Sequence, residues 1–363
     1  MKKTLLWLGV CLLSACCPRS GCEQPEIRNV IYMIGDGMGL AQVSMLQIAE
    51  DYRPTAFDRA EHIALITTRS ANNRVTDSAA AGTALSSGAK TNNSCLGLDP
   101  FGQRLVPMTE CAQAQGMRTG VVVTCYLQHA TPGAFYAHVP HRDDIADITC
   151  DMVASDIDLL IGGGRKVLSD SLPEGGTHFD AFRAKGYRVA LEPAQIDTLS
   201  GLPLVAAVAD KHLPAAAERG DYLLRATRKA LELLSADNDK GFFLMVEGSQ
   251  IDMFCHGNDA PRVLDEMRDF EQAVAAAMDF ADAHPGTLVV VTADHETGGL
   301  SLPSGNADFT LPESGVESRF STGGHSACVV PVYLYGTGSD RIHGFMDNTD
   351  LANQLKRIIL KER

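Results

Sequence analysis

Short, continuous apolar runs recur along this 363-residue chain, and segments with helical periodicity separate them. Clear examples lie at residues 30–34, 120–124, 242–246 and 287–292. Uninterrupted apolar runs of this length are typical of strands that are buried on both faces of a sheet. Because strands and helices alternate, we predict an α/β fold with a large central, mostly parallel β-sheet that is covered by helices on both faces.

Composition and charge narrow the functional classes. The chain is 45% hydrophobic and 21% charged, which excludes disordered and collagen-like classes. Its formal net charge is −14 and it has no basic run, which argues against nucleic acid as a standing partner. We predict one domain over residues 28–363, with insertions at about 165–215 and 299–322, where glycine, proline and small residues accumulate.

The N-terminus has the pattern of a targeting segment. Two lysines precede an apolar stretch over residues 5–13, which is too short to span a bilayer as a helix. The stretch ends in Leu13-Ser14-Ala15-Cys16, which resembles the cleavage box of bacterial lipoproteins. We predict a signal peptide over residues 1–15, a lipid on Cys16 and a tether over residues 16–27. The mature chain would then be exported and lipid-anchored in the periplasm or cell envelope; a plain secretory signal is the alternative.

Carboxylates and histidines follow several of the apolar runs. Asp36 lies in Gly35-Asp36-Gly37-Met38-Gly39, Glu247 ends a run, and Asp294 and His295 follow another. The carboxyl ends of parallel strands meet at one edge of a sheet, so we expect these side chains to converge. Oxygen and imidazole donors gathered in this way suit divalent metals. The alternative for Asp36 is that it caps the next helix.

Three further histidine and acidic positions are weaker signals. Asp252 and His256 are four residues apart, so one helical face can direct both at a single ion. A salt bridge at a helix start is the alternative. His325 lies in a glycine-rich loop, where a histidine is commonly only solvated. Each motif gains weight when it is taken with the others.

A hydroxyl and a guanidinium complete the set. Ser78 opens a helix of small residues, whose free N–H groups and positive potential would stabilise an alkoxide or phosphate there. A serine that merely caps the helix is the alternative. Arg142 offers a planar fork for two phosphate oxygens, and Thr131 adds a hydroxyl after a strand end. Together these residue types predict metal-assisted phosphoryl transfer.

The motifs, in this order, resemble the alkaline phosphatase family. The matching segments are residues 33–39, 75–84, 86–91, 129–132, 138–142, 162–164, 246–256, 292–295 and 323–325. The resemblance covers residues 28–360 and implies a single catalytic domain with the alkaline phosphatase fold. It implies a metal-dependent hydrolase that releases inorganic phosphate and an alcohol from phosphate monoesters through a phosphoserine.

The resemblance also implies roles for the residues named above. Two zinc ions are expected, one on Asp252, His256 and His325, the other on Asp36, Asp294 and His295. A third ion, usually magnesium, is expected on Asp36, Thr131 and Glu247. Ser78 is expected to be the nucleophile, and Arg142 to bind the non-bridging phosphoryl oxygens.

Two positions depart from the best-known bacterial members, which carry Asp and Lys where this chain has His129 and Met253. His129 could recruit zinc or another divalent metal to the third site.

Family members are usually homodimers, which implies a homodimer here. The alternatives are a hydrolase of phosphodiesters, phosphonates or sulfates from the same superfamily, or a non-catalytic zinc-binding lipoprotein. Arg142 and the third-ion trio favour monoesters, because both suit a doubly charged phosphoryl group.

Overall fold

The computed structural model describes residues 25–173, 175–306, 308, 310 and 315–362. The expected signal peptide over residues 1–15, Cys16 and the tether up to residue 24 lie outside the described residues. None of the helices in the described part of the chain has both the length and the hydrophobicity that a membrane crossing requires.

The strands include one large set and several short pairs. They are β1 (Asn29–Gly35), β2 (His62–Thr67), β3 (Arg118–Tyr126), β4 (Leu159–Gly163), β5 (Arg188–Ala190), β6 (Leu204–Ala207), β7 (Phe242–Gly248), β8 (Thr287–Thr292), β9 (Glu296–Thr297), β10 (Leu300–Ser301), β11 (Arg319–Phe320), β12 (His325–Ser326), β13 (Val330–Gly336) and β14 (Gly344–Asp347).

Ten of these strands form one sheet in the order β14-β2-β13-β8-β1-β7-β3-β4-β6-β5. Only β13 runs antiparallel to its neighbours β2 and β8. The predicted large, mostly parallel sheet is therefore confirmed. In this order β8, β1, β7 and β3 are adjacent, so their carboxyl ends lie side by side at one edge. That edge is where ligands bind in folds of this type.

Helices flank the sheet, as predicted. They are α1 (Leu40–Ala49), α2 (Ser78–Ser87), α3 (Met108–Ala114), α4 (Ala130–Gly133), α5 (Ile145–Ala154), α6 (Arg165–Leu168), α7 (His178–Ala184), α8 (Ala216–Arg219), α9 (Tyr222–Ser235), α10 (Gln250–His256), α11 (Ala260–Ala283) and α12 (Asn348–Leu360). One layer is built on α9 and α11, which pack on each other and on β7. A second layer joins α2, α3 and α12.

The central strands are apolar because both of their faces are covered. Every residue of β7 and β8 is buried, and β1 is buried from Val30 onward. Phe243 of β7 stacks on Phe135, and Tyr32 of β1 meets both rings edge-on. Burial of one such large side chain stabilises the fold by roughly 1.5–3 kcal/mol. The charged residues that end these strands are thus held on a rigid base.

The segment over residues 165–215 differs from the irregular insertion that we expected. It contains α6, α7, β5 and β6, and its two strands extend the main sheet in parallel beyond β4. The strands are only three and four residues long, so their alternation was too brief to be recognised. In the second expected insertion, residues 299–322, β10 and β11 form an antiparallel pair.

Helix α2 has no exposed face. All ten of its residues are buried, and three of the first four are alanine. Gly82 lets the helix approach α4 closely, because a Cβ at that position would stand only 3.0 Å from the Cβ of Ala134. Asp77 caps the helix by accepting a hydrogen bond from the amide of Ala80 at 3.0 Å. The start of α2 is therefore fixed relative to the sheet edge.

Candidate active site

Asp252, His256 and His325 form the first group of metal-type donors at the sheet edge. Their ligand atoms lie within 4.8 Å of one another. Asp252 and His256 lie on α10, and the Asp252 Oδ2 to His256 Nε2 distance is 3.3 Å. His325 Nε2 is 3.5 Å from Asp252 Oδ1. The four-residue spacing thus brings the first two together, and the loop histidine joins them.

Backbone carbonyls fix the tautomers of the two histidines. The Nδ1 of His256 is 2.7 Å from the carbonyl oxygen of Gly323, and the Nδ1 of His325 is 2.8 Å from that of Thr76. A carbonyl only accepts, so each Nδ1 carries a proton and each neutral ring turns an Nε2 lone pair inward. The two Nε2 atoms are 3.2 Å apart, beside a carboxylate. When both rings are neutral, a cation bound to both Nε2 atoms would satisfy these facing acceptors.

A short strand pair positions His325. β12 pairs with β9 in antiparallel register, with His325 opposite Thr297. The hydroxyl of Thr297 donates to Asp252 Oδ1 at 2.5 Å and lies 3.1 Å from Nδ1 of His295. Thr297 is buried and therefore links the first group to the second. The sequence analysis missed Thr297, because its role depends on this pairing.

Asp36, Asp294 and His295 form the second group, and all three are fully buried. The Nε2 of His295 is 3.0 Å from Asp294 Oδ2 and 3.6 Å from Asp36 Oδ1. β8 ends at Thr292, so Asp294 and His295 do not alternate across the sheet and can face one point.

The glycine after Asp36 makes this close arrangement possible. Gly37 has a φ of +76°, and a Cβ there would lie 2.9 Å from the Cα of Asp252. Its amide donates to Asp294 Oδ1 at 3.1 Å. The backbone thus turns sharply and approaches the neighbouring group, which a side chain at Gly37 would prevent.

Burial perturbs the acidity of these groups strongly. Burial, together with the negative charges of Asp294 and Asp252, raises the pKa of Asp36 well above its usual range. Burial likewise raises the pKa of Glu247 to about 8. The hydrogen bond to Asp252 raises the pKa of His256 to about 9. Asp36 and Glu247 are thus buried close to other carboxylates, which disfavours their charged forms. A bound cation would favour the charged forms and lower both pKa values.

Ser78 is the first residue of α2 and is buried beside the second group. Its Oγ lies 3.2 Å from Nε2 of His295. The ring of His295 stacks on that of His325 with centroids 3.6 Å apart, so the two metal groups meet next to this hydroxyl. The N-terminus of a ten-residue helix adds positive potential at the same point.

Arg142 is held in place by the residue that caps α2. Its Nη1 lies 3.2 Å from Asp77 Oδ2, and both side chains are mostly buried. Arg142 Nη2 is 3.5 Å from Nε2 of His129. Asp77 thus both caps the helix that carries Ser78 and pairs with the guanidinium of Arg142.

Glu247, the next-to-last residue of β7, marks a third group. Two of the predicted partners are in contact, because Thr131 donates to Asp36 Oδ2 at 3.3 Å, and Thr131 acts to lower the pKa of Glu247 against the rise caused by burial. Glu247 also forms a cluster with Cys125 and His129, whose ligand atoms all lie within 4.8 Å of one another. Met253 lies on α10, partly buried and packed against the hydrophobic core.

The first two donor sets fit zinc, and the oxygens of Asp36 and Glu247 suit a further divalent cation. Carboxylate and imidazole donors suit zinc, and the buried oxygens Asp36 Oδ1 and Glu247 Oε1 make no hydrogen bond with any described residue. A cation would give both oxygens a partner. Zinc takes Asp and His ligands in this combination, and magnesium takes oxygens alone.

Comparison with known proteins places these observations in a family. Residues 27–318 match the family model described as alkaline phosphatase. Alkaline phosphatase 3 of Bacillus subtilis is 32% identical over 92% of this chain and 89% of its own length. The alkaline phosphatase of the Antarctic bacterium TAB5 superposes with a TM-score of 0.85 at 33% identity, covering 93% of this chain and 99% of that one.

A histidine-to-aspartate variant of the TAB5 enzyme, described with magnesium bound in its M3 site, superposes with a TM-score of 0.84 at 33% identity, over 93% of this chain and 99% of the other. The family match, the shared fold and the clustered metal-type donors agree with one another. This chain therefore belongs to the alkaline phosphatase family and is a phosphatase.

Proposed function

We propose that this chain hydrolyses phosphate monoesters through a covalent phosphoserine on Ser78. The observation that carries the proposal is the position of the hydroxyl. Ser78 Oγ is buried at the start of α2, 3.2 Å from His295, at the point where the two groups of metal-type donors meet. Cations in both groups would lie on either side of the phosphoryl group that Ser78 attacks.

Three metal ions belong to this proposal. Asp252, His256 and His325 would hold one zinc ion, and Asp36, Asp294 and His295 a second. A third ion would lie on Glu247, with Asp36 and Thr131 as the further ligands that the sequence predicts; it would be magnesium or, because His129 lies beside it, zinc or another divalent metal. When bound, these ions would lower the pKa of the attacking hydroxyl and offset the charge that develops around phosphorus.

The reaction then runs in two displacements on this chain's own residues. The Ser78 oxygen attacks phosphorus in line with the ester bond, which breaks as the phosphoserine forms, and the serine proton leaves with the alcohol. Water then attacks the same phosphorus from the vacated side. The bond to Ser78 breaks, its oxygen regains a proton, and inorganic phosphate is released. The free N–H groups at the start of α2 stabilise the negative charge in both steps.

Arg142 would select monoesters over diesters. The contact with Asp77 orients its guanidinium, and the planar fork can bind two non-bridging phosphoryl oxygens at once. The phosphoryl group of a monoester carries two negative charges, whereas that of a diester carries one and bears a second bulky group. Hydrolysis of diesters, phosphonates or sulfates is the competing assignment.

The test compares Ser78→Ala with Ser87→Ala, a buried serine on the same helix whose hydroxyl donates to the backbone oxygen of Thr83. We expect kcat for p-nitrophenyl phosphate to fall by at least about 10³-fold in the first variant and by less than about threefold in the second. Acid quenching with labelled substrate should trap phosphoprotein only when Ser78 is present. Unchanged turnover by Ser78→Ala, or faster turnover of bis(p-nitrophenyl) phosphate than of the monoester, would contradict the proposal.

We further propose that residues 28–363 form one catalytic domain that is exported, lipid-anchored through Cys16 and dimeric. The sequence pattern at residues 13–16 and the resemblance to a usually homodimeric family support this. Expression of Cys16→Ala should move the protein from the membrane fraction to the soluble fraction. Sedimentation of the soluble form should give twice the mass of the chain.

A further inference from the structure

The third group contains a sulfur atom that the family resemblance did not predict. Cys125 is the next-to-last residue of β3, and Glu247 occupies the same place in β7, its parallel neighbour. Val123 is in register with Glu247, and the pairing of β3 with β4 becomes irregular between Val122 and Tyr126. The Sγ of Cys125 donates to Glu247 Oε2 at 3.5 Å, so Cys125 reaches the carboxylate from the end of this strand.

His129 closes the cluster from the turn that follows β3. The amide of His129 donates to the carbonyl of Tyr126 at 2.9 Å, which folds the chain back on the strand end. One ring nitrogen of His129 then lies within 4.8 Å of the ligand atoms of both Cys125 and Glu247. Sulfur, nitrogen and oxygen donors thus come from one strand, one turn and the adjacent strand.

Two atoms of this cluster have unmet hydrogen-bonding capacity. Glu247 is fully buried and its Oε1 makes no hydrogen bond with any described residue. The same holds for the buried Nδ1 of His129. Buried polar atoms without partners are rare in folded proteins and indicate an absent ion or water. A cation bound by Cys125, His129 and Glu247 would satisfy both atoms.

The chemistry of the three donors decides between metals. Magnesium binds oxygen ligands and keeps several waters, whereas thiolate and imidazole select zinc or related transition metals. One thiolate, one imidazole and one carboxylate give zinc three ligands and leave one position open. We infer that Cys125 is a ligand of the third cation of this chain and that this cation is zinc rather than magnesium.

Binding in this site exchanges a proton for a metal–sulfur bond. The thiol of Cys125 loses its proton to solvent as the zinc–thiolate bond forms, and no electrons are transferred. The inference rests on the third site that we propose above, but it does not depend on Ser78 being the nucleophile. Metal content and spectra can therefore test it in the absence of any substrate.

The experiment uses the full-length chain dialysed with zinc and a large excess of magnesium, followed by elemental analysis. We expect about three zinc ions per wild-type chain and about two in Cys125→Ser and Cys125→Ala. Cys111→Ser is the matched control, because Cys111 is a buried cysteine of α3 outside the three donor groups. It should keep about three. Two zinc ions and one magnesium ion in the wild type would overturn the inference.

Cobalt substitution gives a second measurement, and its result in the wild type needs no variant. A thiolate ligand adds a sulfur-to-cobalt charge-transfer band in the near ultraviolet. We expect this band in the wild type and in Cys111→Ser, and we expect its loss in Cys125→Ser. Identical spectra in all three proteins would overturn the inference. If the Ser78→Ala test fails while these bands behave as expected, only the proposed nucleophile is wrong.

Discussion

Two buried clusters of carboxylates in this molecule satisfy their charges in opposite ways. Glu266 and Asp269 of α11 share the guanidinium of Arg219, with distances of 3.0 Å from Nη1 to Glu266 Oε1 and 3.2 Å from Nε to Asp269 Oδ2. At the sheet edge, Asp36 and Glu247 are buried as deeply, yet each keeps an oxygen without a partner. Arg219 supplies a cation to the first cluster, whereas no arginine or lysine among the described residues pairs with Asp36 or Glu247.

The acidities of the two clusters follow from this difference. Burial raises the pKa of Asp269 to about 6, although Arg219 opposes that shift. Burial raises the pKa of Glu247 further, to about 8, and the adjacent charge of Asp294 adds to the rise. A carboxylate cluster that lacks a guanidinium or ammonium partner thus differs in acidity from a structural ion cluster, and this difference favours a site for metal ions.

Metal removal should have the largest effect on the sheet-edge cluster. After chelation with EDTA and desalting, we expect phosphomonoesterase activity to fall by at least about 10³-fold, because the groups around Ser78 then lack their cations. Added zinc and magnesium should restore it. Circular dichroism serves as the control and should show that the fold persists. Activity that survives in protein shown to be metal-free would contradict the comparison.

The Arg219 cluster should instead depend on its own side chain. Arg219→Ala leaves two buried carboxylates unpaired, so we expect the free energy of unfolding to fall by about 3–5 kcal/mol in urea titrations. Added zinc should not restore it. Arg225→Ala is the control, because Arg225 forms an exposed pair with Asp197 at 2.7 Å and should cost no more than about 1 kcal/mol. Equal losses in the two variants would show that Arg219 is not a structural cation.

A smaller effect is expected from the hydroxyl of Thr297, which links the first and second groups of metal-type donors. Thr297→Val removes the hydrogen bond to Asp252, so the affinity for zinc should fall about 10–100-fold, as measured by competition with a chelator. Thr292→Val is the control, because that buried hydroxyl donates to the backbone oxygen of Pro331 rather than to a donor group. Equal zinc affinities in both variants would remove Thr297 from the site.

The smallest effect is a pH dependence of stability. The pKa of Glu247 is raised from 4.5 to about 8 and that of His256 from 6.5 to about 9. For each residue, between its unfolded and its folded pKa, the folded metal-free chain holds a proton that the unfolded chain has released. The stability of the metal-free chain therefore falls as pH rises through these ranges. Bound metal displaces those protons and becomes more stabilising. The Tm gap between zinc-loaded and EDTA-treated protein should widen by several degrees from about pH 6.5 to pH 9; a constant gap would contradict this.

The sequence predicted the fold and the positions that depend on strand ends. Asp36 and Asp294 follow β1 and β8, and Glu247 lies near the end of β7. Parallel neighbours place such residues together without any knowledge of distant contacts. The parts that escaped prediction depend on pairing between remote segments. Thr297 reaches its partners through the β9–β12 pair, and backbone carbonyls orient the two zinc-type histidines. Neither the pairing of β9 with β12 nor a contact with a backbone carbonyl can be recognised from the order of residues in one sequence.

The third group shows the same limit in another way. The sequence analysis took His129 as a reason why the third ion could be zinc rather than magnesium, but it assigned no role to Cys125. The register of β3 with β7 brings the end of β3 to Glu247, and the turn after Tyr126 adds His129. A single sequence contains neither that register nor the direction in which the sulfur points.

The encasement of α2 has a consequence for how the enzyme meets its substrates. Because neighbouring residues surround this helix on every side, Ser78, the proposed nucleophile, is attached to a part of the molecule that is held in place. Its hydroxyl is therefore positioned before an ester arrives, and substrate binding need not order the start of α2. Variation in the alcohol should then alter the rate through contacts outside α2, while α2 presents the same hydroxyl to every phosphoryl group.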